Sequence, residues 1–302
     1  MNKILITTSS FAKESKRAIE LMEGLVLVFN LYGRALREDE LVSLLEEHKP
    51  IGLLAGTEKI SRGTLEKVKA HLRVISRVGV GWDNVDRVSA AEFGIRLFRT
   101  EGVLTQSVAE LTLGLILAAL RRIPAYDRAV HQNQWKKQMG GLLAGKTVGL
   151  VGFGDIGLRV GSLVRAFGAT VVYHDLAPRE TEEWAESTTL DILLRESDIV
   201  SLHASGNTTI LGEREFRACK QGVVIVNTAR GGLIDEDALY RYLIQGHIGY
   251  ACLDVFAEEP YFGPLKDLEN VILSPHVGSY AREARIQMEE RAVLNLLSGL
   301  EE

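Results

Sequence analysis

Three polar side chains stand just beyond apolar runs that read as successive strands. Arg230 follows Val223-Val224-Ile225-Val226 within Asn227-Thr228-Ala229-Arg230-Gly231-Gly232, among residues small enough to let a ligand approach. Glu259 lies in Asp254-Val255-Phe256-Ala257-Glu258-Glu259-Pro260, after Ala251-Cys252-Leu253. His276 lies in Ser274-Pro275-His276-Val277-Gly278, after Val271-Ile272-Leu273. A guanidinium clamps a carboxylate through two parallel hydrogen bonds. An imidazole held by a carboxylate gives a proton to a carbonyl oxygen and takes it back in reverse. Singly, each residue has a plain reading: Arg230 as a surface ion pair, Glu259 as a solvated loop acid, His276 as a capped turn residue. Together, at the ends of strands of one sheet, they point to acid–base chemistry, because ligands of open parallel sheets sit beyond the carboxyl ends of the strands.

A fourth feature says what else that sheet binds. Val148-Gly149-Leu150-Val151 runs into Gly152-Phe153-Gly154-Asp155-Ile156-Gly157, and a helical pattern continues to Phe167. In this G-x-G-x-x-G turn the first glycine allows the tight turn and the second lets backbone approach a pyrophosphate. The third permits close helix–strand packing, and the helix N-terminus offers free N–H groups to the anion. Eighteen residues past Gly157, the strand Thr170-Val171-Val172-Tyr173-His174 ends in Asp175. Asp175 is placed to bond a ribose hydroxyl and to repel a 2′-phosphate, which favours NAD over NADP; Arg179, four residues on, softens that preference.

The elements behind these groups form two series. Ile4–Thr8, Leu25–Phe29, Ile51–Ala55, Val74–Ser76 and Ile95–Phe98 alternate with amphipathic stretches, without a glycine phosphate turn. Thr147–Val151, Thr170–Tyr173, Ile199–Leu202, Val223–Val226, Tyr250–Leu253 and Val271–Leu273 make a second series of about six strands. This is βαβ grammar, and it predicts an α/β fold of two doubly wound parallel-sheet domains, flavodoxin-like and Rossmann. The expected boundaries are 1–99 plus 281–302 for a substrate domain and 100–280 for a dinucleotide-binding domain. Leu104–Arg122 and Arg282–Leu300 are helices expected to cross between the two.

The length of 302 residues suits two domains, and the formal net charge of -5, with basic residues scattered among acidic ones, argues against a nucleic-acid partner. The longest apolar run, Val108 to Leu120, is about 13 residues and contains Glu110, short of the roughly 20 that a membrane span needs. Cys219 and Cys252 stand alone, with no disulfide or metal-ligand spacing, and are expected to be buried thiols. The start Met1-Asn2-Lys3-Ile4-Leu5-Ile6 turns polar at Thr7, too early for a secretion signal, so a cytoplasmic location is expected. Trp82, Trp135 and Trp184 read as packing residues, and the histidines other than His276 as structural or surface residues, His203 excepted for its place at a strand end.

The motifs Ser76-Arg77-Val78-Gly79-Val80-Gly81-Trp82-Asp83-Asn84-Val85-Asp86, Val108-Ala109-Glu110-Leu111-Thr112, the glycine turn, Asn227 to Asp235, Leu253 to Pro260 and Ser274 to Gly278 follow one another in a familiar order. With them the chain resembles, over nearly its whole length, the D-isomer-specific 2-hydroxyacid dehydrogenase family. Its wording is nearest to short phosphoglycerate dehydrogenase-like members. The resemblance implies NAD-dependent hydride transfer at C2 of a small 2-hydroxy or 2-oxo acid, a cleft that closes between the domains, and a homodimer joined through the nucleotide-binding domains. It implies that Arg230 binds the substrate, that His276 donates or accepts the proton, and that Glu259 holds and tunes His276. It places the substrate carboxylate on the backbone of Gly79, Val80 and Gly81. Around the cofactor it places Val80, Gly152, Gly154, Asp155, Ile156, Gly157, Asp175, His203, Ala204, Thr228, Ala229, Arg230, Asp254, His276 and Gly278, with Asp254 near the nicotinamide amide.

The chain departs from the family pattern in three loops. His203-Ala204-Ser205-Gly206-Asn207-Thr208-Thr209 lacks the usual proline, and Thr100-Glu101-Gly102-Val103 has Glu where Pro is common. Ala55-Gly56-Thr57-Glu58-Lys59 lacks the arginine that often binds a substrate phosphate, leaving Lys59 or Arg62 as substitutes. The regulatory domain of longer phosphoglycerate enzymes is not expected. Two other functions fit the same residues: an NADH-sensing corepressor-like binding protein, and oxidation of a phosphonate or inorganic anion.

Overall fold

The computed structural model describes residues 2–177 and 184–301 and divides into two compact units, Met1–Leu104 with Ser279–Glu302, and Thr105–Gly278. Arg179 lies outside the described residues. The first division falls a few residues beyond the boundary expected near 99, because the loop Thr100–Leu104 stays with the first sheet through the bond from Thr100 N to Gly79 O at 3.1 Å.

In the first unit β1 (Lys3–Ile6), β2 (Val26–Phe29), β3 (Gly52–Ala55), β4 (Val74–Arg77) and β5 (Arg96–Arg99) form one parallel sheet in the order β2-β1-β3-β4-β5. This is the flavodoxin-like order, whose switch point lies between β1 and β3. All four residues of β3 are buried, as expected of a strand covered on both faces. The helix Arg282–Glu301 packs on β3, β4 and β5. Ser76 Oγ donates to Ala292 O at 2.7 Å, and Gly299 leaves room for the Phe98 ring, which a Cβ there would meet at 2.6 Å.

In the second unit β6 (Thr147–Val151), β7 (Thr170–His174), β8 (Ala185–Ser187), β9 (Ile199–Leu202), β10 (Val223–Asn227), β11 (Ile248–Leu253) and β12 (Val271–Leu273) are all parallel, in the order β12-β11-β10-β9-β6-β7-β8. Read from β6, this is the Rossmann order with one strand added, and its switch point lies between β6 and β9. Alternate residues of β10 enter opposite cores: Val223 and Ile225 join one apolar cluster, Val224 and Val226 the other. The helix Thr105–Leu120 packs against β10, β11 and β12 and against the helix Asp155–Ala166. One strand exceeds the six expected. β8 is only Ala-Glu-Ser, pairs with β7 alone and has two exposed residues, so it leaves no apolar run in the sequence.

Both cysteines are free and buried. Among the described residues, no helix is long and apolar enough to cross a membrane.

Candidate active site

The glycine turn closes β6 as its sequence requires. Gly152 has φ +93°, and a Cβ there would lie 2.5 Å from Ala204 N in the loop that ends β9. A Cβ on Gly157 would strike Gly152 O at 2.3 Å, so the helix Asp155–Ala166 can approach β6 only with glycine at that place. Gly154, at the N-cap of that helix, has nothing within 4 Å of an added Cβ. Two glycines therefore serve close packing within the protein, and the third borders open space at a helix N-terminus, the place for an anion. Asp175, just past β7, reaches into the turn: Oδ2 accepts Phe153 N–H at 2.6 Å and Oδ1 accepts Ala177 N–H at 2.9 Å.

His203 ends β9 with its N–H on Val151 O at 2.7 Å, and Ser201 Oγ lies 2.9 Å from its Nε2. Enclosure of the ring pushes its pKa down to about 3, because the charged form loses hydration. It is a neutral imidazole that lines the turn rather than an acid.

Arg230 is set by a turn built on Asn227, which is buried at the end of β10. Asn227 Oδ1 accepts Ala229 N–H at 3.1 Å and Nδ2 donates to Arg230 O at 2.8 Å, an Asx-type arrangement that reverses the chain locally. Thr228 Oγ1 meets Thr112 Oγ1 at 2.8 Å, which ties the turn to the helix Thr105–Leu120. Arg230 Nη1 donates to Ala229 O at 2.7 Å. Gly231 follows because a Cβ there would overlap the Phe256 carbonyl at 1.9 Å, so the Arg230 turn and the Glu259 loop pack backbone to backbone.

Asp254 organises the histidine turn. It is 1% exposed; Oδ1 accepts the Ser274 hydroxyl at 2.5 Å and Val277 N–H at 2.8 Å, Oδ2 accepts Gly278 N–H at 2.8 Å, and its carbonyl accepts His276 N–H at 2.8 Å. A buried carboxylate with three donors is well satisfied. Ser107 Oγ adds a bond of 2.6 Å to Gly278 O. Within that frame His276 adopts φ +54°, and its Nδ1 lies 2.8 Å from Glu259 Oε2, while Glu259 Oε1 accepts Phe256 N–H at 3.1 Å.

The charges follow from this geometry. The His276 pKa is raised: the bond to Glu259 dominates, burial opposes it, the charges of Glu259 and Asp254 help, and the Arg230 charge opposes. For Glu259, burial pushes upward, but the bond and charge of His276, the Phe256 N–H and the Arg230 charge carry its pKa below the usual value. Both shifts favour the imidazolium–carboxylate form of the pair, and Arg230 is near enough to act on both. With Nδ1 engaged by Glu259, Nε2 is the atom left to exchange a proton with a ligand.

In the first unit the loop after β4 carries Gly79, Val80 and Gly81. Gly79 has φ +151°, and its own N–H is spent on Arg77 O at 2.9 Å, so an anion on this loop would be held by the amides that follow it. Both substitutes for a phosphate-binding arginine are already paired. Arg62 makes a two-pronged bond to Glu92 at 2.5 and 2.9 Å, and Lys59 lies 3.8 Å from Glu38. Glu58, the residue before Lys59, is buried and accepts Gly56 N–H at 2.9 Å and the Thr7 hydroxyl.

The second unit therefore brings together the glycine turn, Asp175, Arg230, Asp254, Glu259 and His276 at the carboxyl ends of its strands, and the first unit holds Gly79 to Gly81 at the end of β4. Sequence reasoning gave no role to Thr112, Ser107, Ser274 or Glu236, whose Oε1 accepts Ala257 N–H at 2.7 Å. Each has a side-chain hydrogen bond to a residue far along the chain, which leaves no local pattern, and Thr112 Oγ1 also bonds Val108 O at 2.8 Å. Trp135, read as a packing residue, is 82% exposed.

Residues 113–278 match the family described as D-isomer specific 2-hydroxyacid dehydrogenase, NAD binding domain. A hydroxypyruvate reductase of Thermotoga maritima is 39% identical over 259 residues, covering 83% of this chain and 84% of that one. A glyoxylate reductase of Thermococcus litoralis is 37% identical over 273 residues, covering 84% and 82%. Among solved structures, a protein of Thermus thermophilus superposes with a TM-score of 0.90 at 37% identity, over 99% of this chain and 97% of that one.

Proposed function

The chain belongs to the D-isomer-specific 2-hydroxyacid dehydrogenase family and is an NAD-dependent oxidoreductase acting on a CH–OH group, and from that premise we propose that it reduces glyoxylate or hydroxypyruvate. The observation that carries this reading is the 2.8 Å pairing of His276 Nδ1 with Glu259, next to the charge of Arg230. NAD, when bound, supplies or takes up the hydride at the substrate C2. Gly152, Gly154, Asp155, Ile156 and Gly157 would receive its pyrophosphate, since Gly154 borders open space at a helix N-terminus. Asp175 would accept a ribose hydroxyl, and its charge would disfavour a 2′-phosphate. His203, Ala204, Thr228, Ala229, Asp254 and Gly278 would line the remainder of that site.

Arg230 binds the substrate carboxylate and its carbonyl oxygen, where a fixed positive charge stabilises the negative charge that develops in reduction. His276, kept protonated by Glu259, donates its Nε2 proton to that oxygen and recovers it in the reverse direction. Val80 and Gly81, with Gly79 shaping the loop, would hold the carboxylate from the substrate domain. The unit Thr105–Gly278 is then the cofactor domain, and Met1–Leu104 with Ser279–Glu302 the substrate domain. The pairing of Arg62 with Glu92 and of Lys59 with Glu38, beside a buried Glu58, favours an unphosphorylated substrate over 3-phosphohydroxypyruvate.

The protein acts as a homodimer in this reading. Ile123, Val130, Trp135, Met139 and Leu142 are exposed within one short stretch of the cofactor domain, and the helix Ile123–His131 buries none of its residues. Such a run of apolar surface suits burial against a second copy. Two free, buried thiols are compatible with a cytoplasmic location.

The test is NADH consumption, followed by absorbance, with glyoxylate, hydroxypyruvate, pyruvate and 3-phosphohydroxypyruvate, in wild type and His276→Ala. Turnover of glyoxylate or hydroxypyruvate that His276→Ala abolishes is the expected result. Binding of NADH without turnover of any of the four would refute the reading.

A further inference from the structure

The loop that carries Glu259 is poorly held by its own backbone. From Val255 to Phe262 no backbone-to-backbone hydrogen bond is formed among the described residues outside helices and strands, and Ala257 to Pro260 are exposed. Besides the bonds of Glu259 to His276 and to Phe256 N–H, three further contacts restrain it. Gly231 packs on the Phe256 carbonyl, and the Phe256 ring stacks on Tyr261 with centroids 4.5 Å apart. The third is Glu236, the first residue of the helix Glu236–Ile244, whose Oε1 accepts Ala257 N–H at 2.7 Å.

Glu236 is not required there by its own helix. Asp235 already caps that helix by accepting Ala238 N–H at 2.9 Å, so the Glu236 carboxylate is free to turn to the neighbouring loop. It does so at a cost: burial, with the adjacent charge of Asp237, raises its pKa, and the Ala257 N–H offsets part of this. Two consecutive amides, Phe256 and Ala257, thus end on carboxylates, the first on Glu259 itself and the second on Glu236.

We propose that Glu236 is a positioning residue for the acid–base pair: by anchoring Ala257 it holds the Glu259 carboxylate against His276 Nδ1. The assignment rests on the proposed function for its catalytic meaning, though not for its geometry. Without the Glu236 anchor the exposed turn 257–260 has one fewer restraint, the Glu259–His276 bond is populated for less of the time, and the imidazolium loses part of its support. The charged groups acting on His276 are Glu259, Asp254 and Arg230, and only Glu259 belongs to the loop that Glu236 anchors.

The experiment titrates the His276 ring by NMR in histidine-labelled protein, the signal assigned with His276→Asn, in wild type, Glu236→Gln and Glu236→Ala. Glu236→Gln keeps an acceptor for Ala257 N–H and should restore the wild-type titration. Glu236→Ala should move it downward by on the order of half a pH unit, since a weakened hydrogen bond to a carboxylate supports the charged ring less. Glu236→Asp, one methylene shorter, makes the same comparison if the alanine protein does not fold. A His276 titration unchanged in Glu236→Ala or Glu236→Asp would overturn the proposal. Because the readout needs no turnover, it is independent of the reductase reading, whose own failure would appear as wild-type protein that binds NADH and reduces no 2-oxo acid.

Discussion

Replacing Glu259 with glutamine removes one charge from the 2.8 Å contact with His276 while keeping the shape of the side chain. Two unit charges about 4 Å apart interact by about 1 kcal/mol in water and about 4 kcal/mol at an effective dielectric of 20. The His276 and Glu259 side chains are 49% and 38% exposed, which places the pair toward the watery end. A loss of about 1 kcal/mol corresponds to about 0.7 pH unit. The sign is fixed by the direction of the perturbation: Glu259 raises the His276 pKa, so its neutralisation lowers it. In the proposed mechanism reduction needs His276 protonated, so kcat/KM for a 2-oxo acid should fall as pH rises through that pKa. In Glu259→Gln the fall should begin about 0.7 unit earlier; oxidation of the hydroxy acid, which needs the neutral ring, should gain activity earlier by the same amount. A further loss of kcat is expected because Glu259 accepts Phe256 N–H on one oxygen and His276 on the other, and an amide has only one acceptor oxygen. The assay is NADH oxidation across the range from acid to alkaline pH in a constant-ionic-strength buffer. A midpoint that stays in place, or moves upward, would refute the assignment of this pair as the proton donor and its support.

Further outcomes separate the remaining roles. Gly157→Ala should lower Tm and weaken NADH binding together, because its Cβ would meet a backbone carbonyl at 2.3 Å, whereas Gly154→Ala should leave Tm near wild type and weaken NADH binding alone; thermal melts with fluorescence titration check both. Asp175→Ala should raise the kcat/KM ratio of NADPH to NADH by removing the charge opposed to a 2′-phosphate, read from parallel assays with the two cofactors. For the homodimer proposed above, Trp135→Glu should shift sedimentation from dimer to monomer, and unchanged sedimentation would exclude this stretch from the proposed contact.

Much of the fold is legible in the sequence because its signals are local. Parallel strands covered on both faces appear as largely apolar runs, so β3, β9 and β10 can be read directly, whereas the three-residue edge strand β8, with Glu186 and Ser187 exposed, cannot. The glycine turn is legible for the same reason: close approach within a short stretch admits only glycine at Gly152 and Gly157, whatever the remainder of the chain does.

By itself the sequence determined the two parallel sheets, the dinucleotide turn with Asp175 at the next strand end, and which strand ends bear Arg230, Glu259 and His276. The tertiary structure alone decided that Glu259 and His276, 17 residues apart, meet at 2.8 Å, that both Asp254 oxygens are engaged by the histidine turn, and that Glu236 reaches Ala257 across 21 residues. It also decided that Arg62 pairs with Glu92, 30 residues on. The physical reason is common to all of them. Strand and turn formation depend on neighbours within a few residues, while these pairings depend on the order of strands in a sheet, which places β10, β11 and β12 side by side in the second unit and β3, β4 and β5 in the first, and so sets which loops and helices can touch.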